Sequence, residues 1–288
     1  MNERNKGIIA TVMAALIWST GGLLVKVLPQ DAFTILFYRS GYALLIFGLV
    51  FRKEVMRFNR QMWINSIIYA LLLLSFVWAT KLTTAANAIF LQYTGTAYVL
   101  LLEPIIFKIP LRRINLWTTI ICFLGMGLFF LGDLEMSGLN GMLIATFSGL
   151  LMAGLYLGQR ANAPEYHIAA IFWGNLWVSL IGLPAFLQSA PPTMPEHLML
   201  AFLGFVQIGL GFMLFTYGLK RIPAVESALI TMLEPVLNPI WVLIGYGERP
   251  ATMALVGGTI IVLALATRIV LLERHKLGQH IRSLRMKS

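Results

Sequence analysis

Apolar stretches long enough to span a membrane follow one another along almost the whole chain. A transmembrane helix needs about 20 mostly apolar residues to cross about 30 Å of hydrocarbon, and the 288 residues supply ten such stretches. They cover residues 7–25, 33–51, 63–80, 85–107, 116–131, 139–158, 168–187, 198–219, 225–246 and 253–272. The sequence therefore predicts an all-α integral membrane protein of ten transmembrane helices, with no room for a soluble catalytic domain.

The composition excludes the common classes of soluble protein. Only 12% of the residues are charged and 58% are hydrophobic, whereas an ordinary soluble domain is about 25% charged. The net charge of +10 does not indicate nucleic-acid binding, because the basic residues lie in short clusters between apolar runs. Scattered histidines give no metal-site spacing, and the sequence contains no glycine-rich ATP-binding loop. We therefore expect neither a metal nor a cofactor.

The positions of Lys and Arg predict the orientation in the membrane. Membrane proteins concentrate basic residues in their cytoplasmic loops. Almost all of the 22 Lys and Arg residues fall on the side of the N-terminus, while Lys26, Lys81 and Arg249 fall in the opposite loops and Arg39 lies inside a span. We therefore expect both termini in the cytoplasm, where residues 273–288 form a basic tail.

The two halves of the chain match weakly but in order, which predicts an internal repeat. Residues 81–88 align with residues 221–228, and the same spacing pairs Thr94-Gly95 with Glu234-Pro235. This alignment divides the chain into two five-helix repeats, residues 1–136 and 137–272. Because the number of helices in each repeat is odd, the second repeat enters the membrane from the opposite side. Such inverted repeats are typical of secondary transporters.

Helix breaks at Gly95 and Pro235 are expected near the membrane midplane. Each residue falls about ten positions into its span, and the helical rise of about 1.5 Å per residue places it about 15 Å deep. In transporters with inverted repeats, the substrate site lies beside such breaks, between the repeats. The sequence therefore predicts a central substrate cavity at this depth.

Three short motifs carry a resemblance to a known family: Ala-Ala-Leu-Ile-Trp-Ser at 14–19, Phe-Tyr-Arg at 37–39 and Leu-Glu-Pro at 233–235. With the predicted topology, they resemble the EamA-like family of the drug/metabolite transporter superfamily over residues 7–272. The resemblance implies a bacterial-type inner-membrane secondary exporter of amino acids or other small metabolites that works by alternating access. It implies a small-molecule substrate and membrane lipids as partners, and leaves the oligomeric state open. Because the sequence has no ATP-binding loop, we expect an ion or substrate gradient to drive transport, with a proton as the candidate coupling ion.

Two charged residues inside the spans are the main functional candidates, because a charge at the bilayer centre costs about 2.5–3.5 kcal/mol on insertion scales. Glu234 directly precedes the helix-breaking Pro235. It is either a carboxyl that couples transport to protons or cations, or a structural group that holds the kink. Arg39 keeps its proton at any usual pH, so it either binds a substrate carboxylate or belongs to a structural pair.

Two further acids, Glu103 and Glu226, lie near the expected cytoplasmic ends of their spans. Glu226 follows Pro223 in the first turn of the ninth span, where a carboxylate interacts favourably with the positive end of the helix. Glu103 lies close in sequence to the basic residues of segment 108–113. Two interpretations of Glu103 are open, a gate-like ion pair and a simple interfacial pair.

Polar and aromatic residues near the depth of the breaks are the expected lining of the cavity. An aromatic side chain in a membrane helix packs more often than it binds a ligand, so a packing role stays open for each of them. The candidates are Trp18, Trp78, Gln92, Tyr93, Tyr98, Tyr156, Trp173, Gln207 and Asn238.

Two other functions are kept as alternatives. A flippase or a channel-like facilitator has the same predicted fold with a different cargo or transport cycle. An integral-membrane enzyme acting on a lipid-linked substrate needs a convergent catalytic set at one headgroup level. The outer acids are instead scattered among different loops, at Asp31, Asp133, Glu135, Glu196 and Glu248. The sequence therefore favours a transporter over an enzyme.

Overall fold

The regular elements of the protein are helices throughout the part of the chain that the structure describes. A computed structural model describes residues 2–83, 85–129, 138–246 and 252–285. The first half contains α1 (Glu3–Trp18), α2 (Gly21–Val27), α3 (Ala32–Val50), α4 (Arg60–Leu82), α5 (Ala85–Tyr93), α6 (Gly95–Phe107) and α7 (Arg113–Phe129). The second half contains α8 (Leu139–Ala161), α9 (His167–Gln188), α10 (Met194–Ala201), α11 (Gly211–Leu219), α12 (Ala224–Thr231), α13 (Leu233–Tyr246) and α14 (Thr252–Arg285).

Eight stretches of the described chain are long and apolar enough to cross a membrane by length and composition. They are Glu3–Val27, Ala32–Val50, Arg60–Leu82, Ala88–Phe107, Leu139–Ala161, Pro164–Gln188, Met194–Leu219 and Leu255–Leu272. A shorter apolar helix covers Arg113–Leu128. The protein is therefore a multi-pass helical membrane protein, and the count of ten spans stays a prediction.

The first predicted span is interrupted between α1 and α2, where the sequence predicted one continuous helix. The hydroxyls of Ser19 and Thr20 donate to the carbonyl oxygens of Leu16 and Ile17, at 2.6 and 2.7 Å. These bonds to the preceding turn compete with the regular helical ladder. Glycines at 21 and 22 follow directly, and α2 begins there.

The break between α5 and α6 falls at Thr94, whose hydroxyl donates to the Leu91 carbonyl oxygen at 2.6 Å. Close backbone contact surrounds this break. A methyl group at Gly149 of α8 would lie 2.8 Å from the Gln92 carbonyl oxygen and from Thr94 Oγ1. A methyl group at Gly95 would collide with the Gly149 carbonyl oxygen. The two glycines therefore let α8 pack against the backbone of the break.

The break between α12 and α13 falls at Met232, three residues before Pro235. Proline has no N–H and its ring clashes with the carbonyl of the residue four positions earlier, which here is Thr231. The Thr231 carbonyl oxygen instead accepts a hydrogen bond from the Tyr93 hydroxyl of α5, at 2.7 Å. The sequence placed the break at Pro235, whereas the structure places it one turn earlier, at the residues that the proline displaces.

The helix pair α10–α11 is joined by a π-helical stretch, Phe202–Leu210, which the sequence did not predict. A π-helix widens the backbone and is frequent at functional sites. Gln207 and Ile208 of this stretch are almost fully buried. The wider turn therefore supplies inward-facing side chains in the middle of the membrane helix Met194–Leu219.

The helices of the two halves pack against each other. α4 packs against α8 and α9, α3 against α9, and α1 against α11, while α7 packs against α14. α14 continues to Arg285, beyond the predicted end of the last span at residue 272. These contacts enclose a core to which both halves contribute helices.

Two faces of the bundle can be distinguished by their polar contacts. The N-terminal face contains the start of α1 and the start of α12, which Arg4 and Glu226 connect at 2.6 Å. On the opposite face, Lys26 donates to the carbonyl oxygens of Thr80 and Thr83, at 3.3 and 3.2 Å.

Candidate functional site

A central cavity lies between helices of the two halves and has a polar and an apolar wall. The cavity is next to all three helix breaks, because α1, α5 and α13 each contribute a side chain at or near the break. The polar lining residues are Trp18, Arg39, Gln92, Tyr93, Tyr156, Gln207 and Glu234. The apolar lining residues are Leu72, Leu73, Phe76, Met152, Leu155, Ile208 and Phe212.

Arg39 is the cation of this cavity, and its guanidinium is only partly satisfied. The residue is 3% exposed, and Nη2 donates to Gln207 Oε1 at 2.8 Å. Nε and Nη1 are buried and have no hydrogen-bond partner among the described residues. Because buried donors without partners are costly, the site is suited to an acceptor group from a ligand or from water.

Two hydrogen bonds join Trp18 of the first half to Gln207 of the second half, beside Arg39. The Trp18 indole Nε1 donates to the Gln207 carbonyl oxygen at 3.0 Å, and Gln207 Nε2 donates back to the Trp18 carbonyl oxygen at 3.3 Å. Trp18 can make this exchange because it is the last residue of α1, and the π-helical stretch presents Gln207 to it. The pair fixes the side-chain amide that holds Arg39.

Glu234 lies on the polar wall at the start of α13, next to Tyr93. The Tyr93 hydroxyl is 2.7 Å from Glu234 Oε2 and 2.7 Å from the Thr231 carbonyl oxygen. Tyr156 extends this network, because its hydroxyl is 3.0 Å from Thr231 Oγ1. The carboxyl is therefore connected through Tyr93 to Thr231 at the end of α12, which Tyr156 also contacts.

The apolar wall was not predicted, although its residues follow helical spacing. Leu72 and Phe76 lie four residues apart on α4, as do Ile208 and Phe212 on the eighth predicted span. Residues four apart share a helix face. This pattern gives little information in a membrane helix, because the lipid-facing sides are equally apolar.

Four of the expected lining residues do not belong to the described cavity lining. Trp173 lies at the N-terminal face, where its indole Nε1 donates to the Val55 carbonyl oxygen at 2.9 Å. Trp78 is 43% exposed and packs beside Phe33. Tyr98 packs against the apolar core. Asn238 lies within α13, but its side chain is outside the described residues.

Glu103 and Glu226 both form contacts in the structure that the sequence did not predict. Glu103 forms an ion pair with Arg160 at 2.6 Å, a residue of the other half rather than of segment 108–113. Its two oxygens also accept hydrogen bonds from the backbone N–H groups of Ala224 and Val225. Glu226 lies in the first turn of α12 as expected and pairs with Arg4 at 2.6 Å.

These features define a class of protein before any relative is considered. A multi-pass helical bundle with broken helices around a polar, charged cavity has the arrangement of a membrane transporter. The chain matches the model of the EamA-like transporter family over residues 5–131 and 139–269. The protein therefore belongs to the EamA-like transporter family.

Similar proteins agree with this assignment. The pseudopaline exporter CntI of Pseudomonas aeruginosa is 25% identical over 94% of this chain and 97% of its own length. An uncharacterized transporter of Archaeoglobus fulgidus is 24% identical over 88% of this chain and 93% of its own. A solved crystal structure shares the fold with a TM-score of 0.77, at 20% identity over 93% of this chain and 98% of that one. The family and its named relatives are transporters rather than enzymes, which implies a small-molecule substrate and contact with membrane lipids.

Proposed function

We propose that this protein is a secondary-active exporter that moves small carboxylate-bearing metabolites, such as amino acids, through the central cavity by alternating access. The observation that carries the proposal is Arg39, whose buried Nε and Nη1 have no hydrogen-bond partner in the part of the chain that the structure describes. A guanidinium binds carboxylates with strong charge-assisted hydrogen bonds. The exporter name of the Pseudomonas relative supports the direction of transport.

Two walls of different character favour an amphipathic substrate. Gln92, Tyr93 and Tyr156 offer neutral hydrogen-bonding groups on the polar wall, while leucines, Met152 and Phe212 form the apolar wall. Glu234 adds a carboxyl on the polar wall, which suits an amino group. A zwitterion with an apolar side chain matches this distribution of groups.

For the architecture we propose ten spans in two inverted repeats, residues 1–136 and 137–272, followed by the tail 273–288. The family model matches the chain twice, once in each of these segments, which supports the division. The basic N-terminal face supports an inner-membrane location with both termini in the cytoplasm. Under this orientation the N-terminal face is the cytoplasmic face.

The network around Tyr93 supports coupling to protons. A phenol carries one proton and donates one hydrogen bond, and a carbonyl oxygen only accepts. When Tyr93 donates to the Thr231 carbonyl, its close contact with Glu234 requires a protonated carboxyl that donates to the phenol oxygen. When Glu234 is ionised, Tyr93 donates to the carboxylate instead, and the Thr231 carbonyl oxygen loses its hydrogen-bond donor. We propose that this exchange links the proton on Glu234 to the break between α12 and α13.

The binding proposal is tested by thermal unfolding of the purified protein in detergent, with amino acids, nucleobases, cationic drugs and sugar phosphates as ligands. A ligand at about 100 times its Kd stabilises by about 2.7 kcal/mol. We expect stabilisation by carboxylate-bearing compounds, and Arg39→Leu to weaken their binding roughly 10- to 150-fold through loss of charged hydrogen bonds. Unchanged binding in a folded Arg39→Leu protein would contradict the proposed contact.

The coupling proposal is tested by Glu234→Gln in sealed vesicles. The glutamine amide donates permanently to Tyr93 and so imitates the protonated carboxyl. We expect transport driven by a pH gradient to be lost, while binding of carboxylates that carry no amino group is retained in detergent. A variant that keeps both its transport rate and its pH dependence would show that Glu234 is a structural group.

A further inference from the structure

Glu103 connects three helices on the N-terminal face through one buried carboxylate. The residue belongs to α6 and is 1% exposed. Its Oε1 accepts from the backbone N–H of Ala224 at 2.7 Å, and its Oε2 accepts from that of Val225 at 3.0 Å. Arg160 of α8 approaches Oε1 to 2.6 Å. The carboxylate thus accepts from two backbone N–H groups at the start of α12 and pairs with an arginine at the same time.

A second ion pair holds the same turn of α12. Glu226 lies 2.6 Å from Arg4 of α1 and 3.4 Å from Arg268 of α14. Arg268 Nε in turn donates to Asn115 of α7 at 3.0 Å. Charged side chains of several helices therefore converge on the first turn of α12.

The other end of α12 borders the cavity. The helix has eight residues, which at 1.5 Å per residue span about 12 Å. Its last residue, Thr231, receives the hydroxyls of Tyr93 and Tyr156, and Glu234 follows the break. α12 is therefore a short helix that connects the buried ion pairs of the N-terminal face with the polar wall of the cavity.

We propose that the contact of Glu103 with Arg160 and the start of α12, here called the α12 clasp, is the closing contact of the N-terminal face. Release of the clasp opens the cavity towards that face. A buried ion pair is favourable only while all its hydrogen bonds are made, so the clasp has a complete closed state and a hydrated open state. This inference rests on the proposed alternating access and adds the residues that control one side of it.

The clasp is tested by the accessibility of a cysteine placed beneath it, which requires no substrate. Ala228 is fully buried in the middle of α12, so Ala228→Cys in a Cys122→Ala protein reports exposure of this helix. We expect Glu103→Gln to accelerate its reaction with a membrane-impermeant maleimide, added to the N-terminal face of sealed vesicles, by about 5- to 150-fold, the usual range of conformational coupling. Transport by the original protein tests the proposed function separately.

Two controls separate opening from general loosening. Glu165→Gln makes the same change in an exposed ion pair with Arg57 on the same face, 3.6 Å long, and we expect it to leave labelling unchanged. Ala169→Cys lies in the separate buried cluster with Met62, and we expect it to stay protected in every variant.

Arg160→Gln provides a second variant if Glu103→Gln fails to fold. Its side chain is 25% exposed, and Glu103 keeps both backbone hydrogen bonds, so we expect a smaller acceleration in the same direction. Labelling of Ala228→Cys at the rate of the Glu165→Gln control, in a folded clasp variant, would overturn the proposal. Acceleration at Ala169→Cys equal to that at Ala228→Cys would overturn it as well, because the clasp would then be only structural.

Discussion

At the scale of single residues, the charges inside the membrane are held by a few specific contacts. Arg39 has Gln207 as its hydrogen-bonded partner, and Glu234 has Tyr93. Neither set of contacts uses the full hydrogen-bonding capacity of the group. Since a charge in this position is expensive to insert, incomplete pairing is the property expected of a site whose remaining partner comes from the substrate or from a proton.

Asp31 shows how a residue outside the spans stabilises the start of one. Its carboxylate accepts from the backbone N–H groups of Phe33 and Thr34 at the N-terminus of α3, and from the Thr34 hydroxyl. Partial burial raises the pKa of Asp31, but these hydrogen bonds outweigh burial and hold the pKa below its usual range. The ionised form is therefore favoured in the folded protein.

We predict that Asp31→Ala destabilises the protein by about 1 kcal/mol at pH 7, the usual loss for a helix N-cap. Because the folded pKa is depressed, the stabilisation by the carboxylate is complete above about pH 4 and is lost as the pH falls through the folded pKa. Thermal unfolding in detergent at pH 7 and at low pH measures this. Asp31→Asn, which still caps, should lose only a fraction at pH 7; equal loss in both variants would argue against capping.

The sequence could identify candidate site residues by type but not by partner. Arg39 and Glu234 stand out because ionisable groups are rare within spans, and Gln207 because it is polar at the same depth. The Arg160 partner of Glu103 could not be predicted, because the two residues meet only when α6 and α8 pack together. Trp173 has the residue type of a cavity lining, but the face it occupies depends on a hydrogen bond to Val55 that no sequence pattern encodes.

At the scale of elements, close approach of backbones determines where α8 lies. Gly149 faces the carbonyl oxygens of Leu91 and Gln92 at the break between α5 and α6. A side chain at this position meets backbone atoms, which cannot move aside as a flexible side chain can. The position of Gln92 and Tyr93 in the cavity therefore depends on a glycine of a different helix.

We predict that Gly149→Ala destabilises the protein by about 1–3 kcal/mol, the usual range for overpacking, and weakens ligand binding. Gly127→Ala in α7 is the matched control, because a methyl group there would meet no atom within 4 Å. Alanine is the better helix former, so this control should unfold at the same temperature or higher. Equal melting temperatures for the two variants would refute the close approach.

The Pro235 break predicts a coupling between two residues on different helices. Pro235→Ala restores an N–H that can return to the Thr231 carbonyl, so this carbonyl no longer depends on Tyr93. We expect Tyr93→Phe to destabilise the original protein by about 0.5–1.5 kcal/mol and the Pro235→Ala protein by less. A double-mutant cycle of unfolding free energies measures the difference, and additive effects would show that the proline does not create the demand for Tyr93.

At this scale, the sequence predicted which segments are helical, but it did not predict how the helices are interrupted. Long apolar runs define most of the helices within a few residues, because a helix is the structure in which one segment satisfies all its own backbone hydrogen bonds in lipid. The break after Trp18 and the π-helical stretch escaped prediction. Both are stabilised by the exchange of hydrogen bonds between Trp18 and Gln207, which are brought together only by the folded bundle.

At the scale of the whole molecule, helix α12 connects the cavity with the N-terminal face. The α12 clasp holds one end of α12, and the tyrosines of the cavity hold the other. A carrier requires such a connection, because opening on one side must respond to occupancy of the site. A channel-like facilitator with the same fold needs no such response.

Counterflow in sealed proteoliposomes tests the central claim, that the protein is a carrier working through the cavity of Arg39, most directly. Vesicles are loaded with an unlabelled carboxylate-bearing compound that stabilises the protein, and uptake of the labelled compound is followed. We predict transient accumulation of label above its external concentration, and its loss in Arg39→Leu. Uptake that only reaches the external concentration, whether or not the internal compound is present, would contradict a carrier and indicate an open pathway. Undiminished counterflow in Arg39→Leu would contradict the role of the cavity.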